Sequence, residues 1–313
     1  MKKTVALNTL LLFLIHSFSY GQKSTYSGTY TSSTPISLNG VSNRTISNLK
    51  ISNSKGNCIT LTNCSNITID NCKLGPSIGE GVSIEGCSNI TVKYSSMESI
   101  RTGVYAVTST GIKVEYNEVK NLQGPMPRGQ MVQFDKVTGT GNSISYNVCE
   151  NIAGKSNPED AISLYQSQGT ENDRIKIIGN VIRGGGPSNS GGGIMVGDNG
   201  GSYVLVENNI LVNPGQYGIS VTSGHNITVT NNKIYSRKFP FSNVGLYVWR
   251  QYEYETHTIT ISNNEINYTN KLGFLNNLWN AGNSGSIKGW KTNFYNSKLN
   301  ESVLSEVIIG KNK

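Results

Sequence analysis

The chain is poor in several things that common folds require. Charged residues make up only 15% of its 313 residues, histidines number three, cysteines five and prolines eight. Beyond one N-terminal run, no apolar stretch is long enough to span a bilayer. So few charges beside 35 glycines exclude an ordinary helical bundle. Hydrophobic residues at 36% are too many for a disordered chain. Cys58, Cys64, Cys72, Cys87 and Cys149 are odd in number and lack zinc-ligand spacing, and His225 and His257 share no motif with them. No structural metal site is expected, and the cysteines read as small core residues.

At the N-terminus, Lys2 and Lys3 precede an apolar stretch at 7–15, with Ser19 and Gly21 at the small-residue positions of a cleavage site. Residues 1–21 are therefore expected to be a signal peptide, and the protein to be secreted or periplasmic. The 27 Lys and Arg against 19 Asp and Glu leave a net charge of +8, which in an exported protein points to an acidic partner such as a uronic or sulfated polysaccharide.

What the chain has in abundance is a repeated phrase, in which an apolar residue, two mixed positions and usually Asn are followed two residues on by another apolar residue. It reads Ile-Asp-Asn-Cys-Lys-Leu at 69–74, Val-Glu-Tyr-Asn-Glu-Val at 114–119 and Ile-Ser-Asn-Asn-Glu-Ile at 261–266. Its fourth position forms a column of Cys72, Ser95, Asn117, Asn147, Asn180, Asn209, Asn232 and Asn264. Alternating apolar positions predict short strands, and Asn and Gly predict tight corners because both tolerate left-handed backbone angles. One coil of 22–23 residues stacked on the next gives an all-β, single-stranded right-handed parallel β-helix of about eight or nine coils. Residues 22–44 read as a lead-in, 45–270 as the coils and 271–313, where the phrase is lost, as a C-terminal cap. Cys64 and Cys87 then fall on adjacent coils as packed thiols. Asn66, Asn89 and Asn226 read as ladder residues despite their Asn-x-Ser/Thr context.

By these Asn-Ile-Thr-Val-x-Asn-Asn-x-Ile phrases, from Thr45 to Thr269, the chain resembles the right-handed β-helix proteins of the pectin-lyase-like superfamily. That resemblance implies the fold. The superfamily includes lyases, hydrolases, epimerases and non-catalytic surface proteins, so it leaves the chemistry open.

The coil spacing lengthens to 29–33 residues around the strands of Val132, Ile162, Ile194 and Leu246, with extra residues at both borders of one strand. Loops raised on two sides of one face predict a cleft. Period-two alternation points Gln133, Asp135, Ser163, Tyr165, Met195, Gly197, Ser220, Thr222, Tyr247 and Trp249 outward as its floor, with Lys136, Gln166, Asp198, Ser223 and Arg250 just beyond. Tyr165, Tyr247 and Trp249 suit stacking on sugar rings. Asp135 and Asp198, two coils apart, suit an inverting hydrolase pair. The Glu159-Asp160-Ala-Ile phrase and Gly224-His225 resemble elements of polygalacturonases, which implies roles for Asp160 and His225, although the Arg174-Ile175-Lys176 element comes before His225 rather than after it. The rival chemistry is β-elimination from a uronic acid. Lys136, Arg128 or Arg250 would then be base or carboxylate clamp, Tyr165 the acid, and Asp135, Asp160 or Asp198 calcium ligands. A different class, a monomeric glycan-binding β-helix without catalysis, predicts the same aromatic floor.

Overall fold

A computed structural model describes residues 28–310. The expected signal peptide lies outside the described residues. Within them the chain winds as a parallel β-solenoid, and each coil contributes one short strand to each of three ladders. The first ladder runs from Ile36–Asn39 to Leu278–Asn280, the second from Ser42–Ser47 to Ile287–Lys288, and the third from Thr31–Ser33 to Phe294–Tyr295. All of these pairings are parallel, and the one long strand, Lys73–Glu85, serves the third ladder with its first half and the first ladder with its second.

The alternation explains the core. Along the first ladder, Ile59, Val82, Val104, Val132, Ile162, Ile194, Ile219 and Leu246 stand in register and are sealed from solvent. They join inward residues of the other two ladders in one continuous apolar cluster. All five cysteines are buried and unpaired, and the amide of Cys64 donates to Cys87 Sγ at 3.2 Å from the next coil.

At the corner between the second and third ladders, the Asn column is a buried hydrogen-bond ladder. Asn180 Nδ2 donates to the carbonyl of Ile144 at 2.9 Å and to Asn209 Oδ1 at 2.9 Å, and Asn180 N–H reaches the same Oδ1. Its own Oδ1 accepts from the amide and Nδ2 of Asn147, each at 3.0 Å. The residue before each column member takes a left-handed φ, which Asn and Gly tolerate at most rungs but which Tyr94, Tyr116 and Tyr146 also adopt, their rings stacked 5.1–5.3 Å apart. Of the Asn-x-Ser/Thr sites, Asn89 Nδ2 donates to Asn66 Oδ1, and Asn66 Nδ2 to Asn43 Oδ1, as ladder residues should.

There are about ten turns, more than the repeat implies. Coils form at both ends beyond 45–270: Ile36–Asn39 and Ser42–Ser47 already pair with the coil that follows, and Leu278–Asn280, Ile287–Lys288 and Phe294–Tyr295 add a last coil whose Asn293 continues the buried column. Residues 278–295, read as part of a cap, are therefore the last coil itself. After Tyr295 the chain doubles back along the outside of the third ladder, where Leu304 and Ile308 pack on Val148, Val181, Ile210 and Val212. Arg183 donates to the carbonyls of Ser305 and Glu306, and Gly310 N–H to Glu118 Oε1. On its middle rungs the third ladder is apolar outside as well as inside, at Val148, Val181, Ile210 and Val212, and the returning segment covers that patch.

Replacing Asn180 with Ala strands two buried donors of Asn147 and removes two donors of its own, so Asn180→Ala should lower the unfolding free energy by about 3–5 kcal/mol. Urea denaturation should show it as a lower midpoint.

Candidate functional site

Outward side chains of the first ladder form two columns. One runs Tyr105, Gln133, Ser163, Met195, Ser220, Tyr247 and Trp279, and the other Val107, Asp135, Tyr165 and Asp198. Asp198 belongs to the strand rather than lying beyond it. Gly197, at φ +73°, is an extra bulged residue between Val196 and Asp198 that brings Asp198 level with Tyr165. A Cβ on Gly197 would lie 2.0 Å from the carbonyl oxygen of Ser223, so only glycine fits. The bulge leaves Asp135 and Asp198 facing the same way two strand spacings apart, about 10 Å between backbones.

The rest of the floor departs from strict alternation. Ser220, Thr222 and Ser223 are fully buried. The rings of Tyr217 and Tyr247 meet edge to face at 5.3 Å, both with Ser220 as a hydrogen-bond partner, and Met195 packs against them. Tyr247, expected as a stacking surface, is 9% exposed and part of this outer apolar cluster. Trp249 is exposed, and it meets Trp279 of the last coil at 6.2 Å in an edge-on contact. Trp279 fell in the segment read as a cap, which hid its place in the floor column.

The two aligned carboxylates have different surroundings. Asp135 Oδ2 accepts from Tyr105 Oη at 3.0 Å, and Oδ1 is buried without a hydrogen-bond partner, 3.9 Å from Lys136 Nζ. Tyr105 is held under the guanidinium of Arg128, 3.9 Å above its ring, and Arg128 also donates to Gln133 Oε1 at 3.1 Å and lies 3.7 Å from Glu80. For Asp198, burial raises the pKa, the hydrogen bond from Tyr252 opposes the rise, and the charge of Asp135 adds to it. Between them Tyr165 Oη accepts from Asn199 Nδ2 at 2.7 Å, with Lys136 Nζ 5.9 Å from its ring centroid. Gln166 occupies the left-handed corner after Tyr165 and donates to Tyr254 Oη at 3.4 Å. Arg250 is exposed on the rim, its amide donating to Asn283 Oδ1.

Two residues taken from the polygalacturonase resemblance are elsewhere. Asp160 sits at the opposite border of the ladder, five residues along the strand from Tyr165 and on the order of 16 Å away. Its Oδ1 accepts from Gly192 N–H at 2.9 Å and from Tyr217 Oη, and burial pushes its pKa up to about 7. His225 is on the second ladder, stacked 4.8 Å from His257 and edge-on to Tyr203, and burial together with the charge of His257 lowers its pKa. Arg174 also belongs to the second ladder's side, donating to Thr228. Nor do Asp135, Asp160 and Asp198 converge as calcium ligands: strand rise separates Asp160 from the other two, and among the described residues no three His, Cys, Asp or Glu side chains could hold one ion.

Because the folded pKa of Asp160 lies above its ordinary value, the folded state binds more protons than the unfolded chain between those two values. Stability from this residue is greatest in acid and falls as pH rises toward about 7. Asp160→Asn should flatten that dependence, seen as urea midpoints at about pH 5 and about pH 8 that differ less than in the parent.

A family model for the right-handed β-helix region matches residues 34–186 and 160–288. Among solved structures the chain is similar to the catalytic domain of a GH87 α-1,3-glucanase in complex with tetrasaccharides, at 14% identity over 82% of this chain and 50% of that one, with a TM-score of 0.49. It is also similar to a double variant of the tailspike protein of E. coli bacteriophage HK620 in complex with a pentasaccharide, at 11% identity over 85% of this chain and 60% of that one, with a TM-score of 0.44. The chain thus spans about half the length of the glucanase domain, and identities this low establish likeness of fold alone. No curated protein matches it. With the matched segments covering most of the chain and the coils in place, the protein belongs to the right-handed β-helix family.

Proposed function

We propose that the protein is a polysaccharide hydrolase that cleaves glycosidic bonds with inversion in the trough of the first ladder. The observation that carries this reading is the pair Asp135 and Asp198, brought level two rungs apart by the bulge at Gly197 and set in unlike environments. An inverting mechanism needs two carboxyl groups about 6.5–9.5 Å apart, one ionised and one protonated. Side chains rising from backbones about 10 Å apart can meet that span.

Asp198, whose burial favours the neutral form, is the acid that protonates the leaving oxygen. Asp135 is the base. Tyr105 orients Oδ2, the oxygen that takes a proton from the attacking water, and Lys136 lies beside the buried Oδ1. Tyr165, on the rung between them, is a surface for the sugar ring, and Trp249 with Trp279 extends the stacking surface toward the last coils. Gln133, Arg128, Gln166 and Arg250 supply polar contacts along the walls, and the excess of Lys and Arg favours an acidic chain. We further propose, on the reading of residues 1–21, that the enzyme acts after export.

Incubation with a panel of polysaccharides, with products resolved by chromatography and their anomeric form by NMR, tests the reading. Asp135→Asn or Asp198→Asn should each lower kcat by about 10³-fold with little change in KM. kcat should fall as pH rises through the elevated pKa of Asp198. Unsaturated product ends that survive in Asp198→Asn but vanish in Lys136→Ala would replace hydrolysis with β-elimination. Saturable binding of a polysaccharide with no turnover would make the protein a non-catalytic glycan binder.

A further inference from the structure

A cavity of about 660 Å³ lies away from Asp135 and Asp198, at the corner where the third ladder passes into the first in the N-terminal coils. Its volume falls in the range of about 300–1,000 Å³ typical of small-molecule sites. Successive coils build it: Asn53 is level with Ser77, Ser77 N–H donates to the carbonyl of Ser99, and Gly124 N–H to that of Arg101. The groove therefore follows the axis of the solenoid across several rungs.

Charge sets this cavity apart. Lys55 and Arg101 line it, and no Asp or Glu does. Arg101 donates to Glu80, but that one buried carboxylate also faces Arg128, so two guanidinium groups share a single negative charge. Arg101 Nε is buried without a hydrogen-bond partner. A smaller cavity, of about 330 Å³, over the second ladder makes the contrast. Its two cations, Lys113 and Lys176, are matched by two carboxylates, Glu115 and Asp173, with Lys176 and Asp173 paired at 2.9 Å, so its lining carries no excess of either sign.

Hydroxyl and amide groups of Ser52, Ser54, Ser99 and Gln123 make up much of the remaining lining, with Ile78 as an exposed apolar element. Such a surface suits a hydroxyl-rich ring that carries a negative group. No aromatic side chain lines the groove to stack on a nucleobase.

We infer that this corner groove binds an anionic sugar residue through Lys55 and Arg101, at a site separate from the trough. The anionic group is a carboxylate or a sulfate ester, both of which present oxygens that accept from the Lys55 ammonium and from the part of the Arg101 guanidinium that Glu80 does not engage. The inference goes beyond the proposed hydrolysis and does not need it: the groove would bind whether or not Asp135 and Asp198 cleave.

Isothermal titration calorimetry of the full chain with trigalacturonate, with a sulfated trisaccharide and with neutral galactotriose tests it. At least one anionic trimer should bind saturably and more tightly than the neutral one, with affinity falling as salt is raised. Lys55→Gln, on an exposed loop, should weaken the anionic trimer about two- to fivefold, and Lys55→Gln with Arg101→Gln by about tenfold or more. Trp249→Ala, in the trough, should leave the part of this binding that Lys55→Gln weakens intact. Which anionic trimer binds distinguishes carboxylate from sulfate. Equal binding of the neutral trimer, affinity unmoved by Lys55→Gln, loss of binding in Trp249→Ala instead, or no saturable binding of either anionic trimer would each overturn the inference, and none of these outcomes bears on turnover in the trough.

Discussion

Everything in this molecule depends on the vertical passage of hydrogen bonds from one coil to the next. Backbone amides carry it through the three ladders, and at one corner the side chains of Asn117, Asn147, Asn180, Asn209, Asn232, Asn264 and Asn293 carry it as well. A buried primary amide is expensive unless every donor and acceptor is used, and an amide above and below uses them all. The ladder therefore stabilises only one register. Slippage by a single residue would bury unpaired polar groups at every rung. That constraint holds the outward columns straight, and straight columns make it possible for side chains from separate coils to act together.

The same constraint made the architecture readable. Asn at fixed intervals with flanking apolar pairs identified the coil, and the inward residues fell where alternation placed them, from Val82 to Leu246. Alternation failed where the backbone breaks period two. The bulge at Gly197 shifts Asp198 into the strand, and a glycine with a left-handed φ looks in sequence like any other corner glycine. It failed again where outward residues cover one another. Ser220 is small, and Tyr217 of its own strand and Tyr247 of the next rung close around it, a contact between side chains that no periodic pattern records. His225 was misplaced because a two-residue likeness carries no ladder assignment. The last coil was missed because Trp290 and Tyr295 stand where the other rungs have Ile, Val or Leu, although Asn293 keeps the column.

Three aspartates on the first ladder show how far environment separates one side chain from itself. Asp135 has a phenol on one oxygen and an ammonium near the other. Asp198 is pushed toward its neutral form by burial, beside the charge of Asp135. Asp160, deeper still, accepts from an amide and a tyrosine across the empty side of Gly192, where any Cβ would strike the Tyr217 ring. The first two share a height on the strand, and the third stands at the opposite border, where the charge of Asp198 still adds to the rise in its pKa. Shared height, more than the degree of perturbation, is what makes the first two a candidate reaction pair.

The returning C-terminal segment changes how the rod responds to load. In a stack where each turn touches only its neighbours, loosening the final turn leaves the middle untouched. Here the segment beyond Tyr295 is clasped at Arg237 through Glu301, at Arg183 through two carbonyls and at Glu118 through Gly310. Those anchors are spread from the far end of the solenoid to its centre, so peeling the last turn from Ile266 would pull on a strap fastened several turns below. Damage at one tip is thereby resisted by the girth of the whole, as a splint shares strain along a limb.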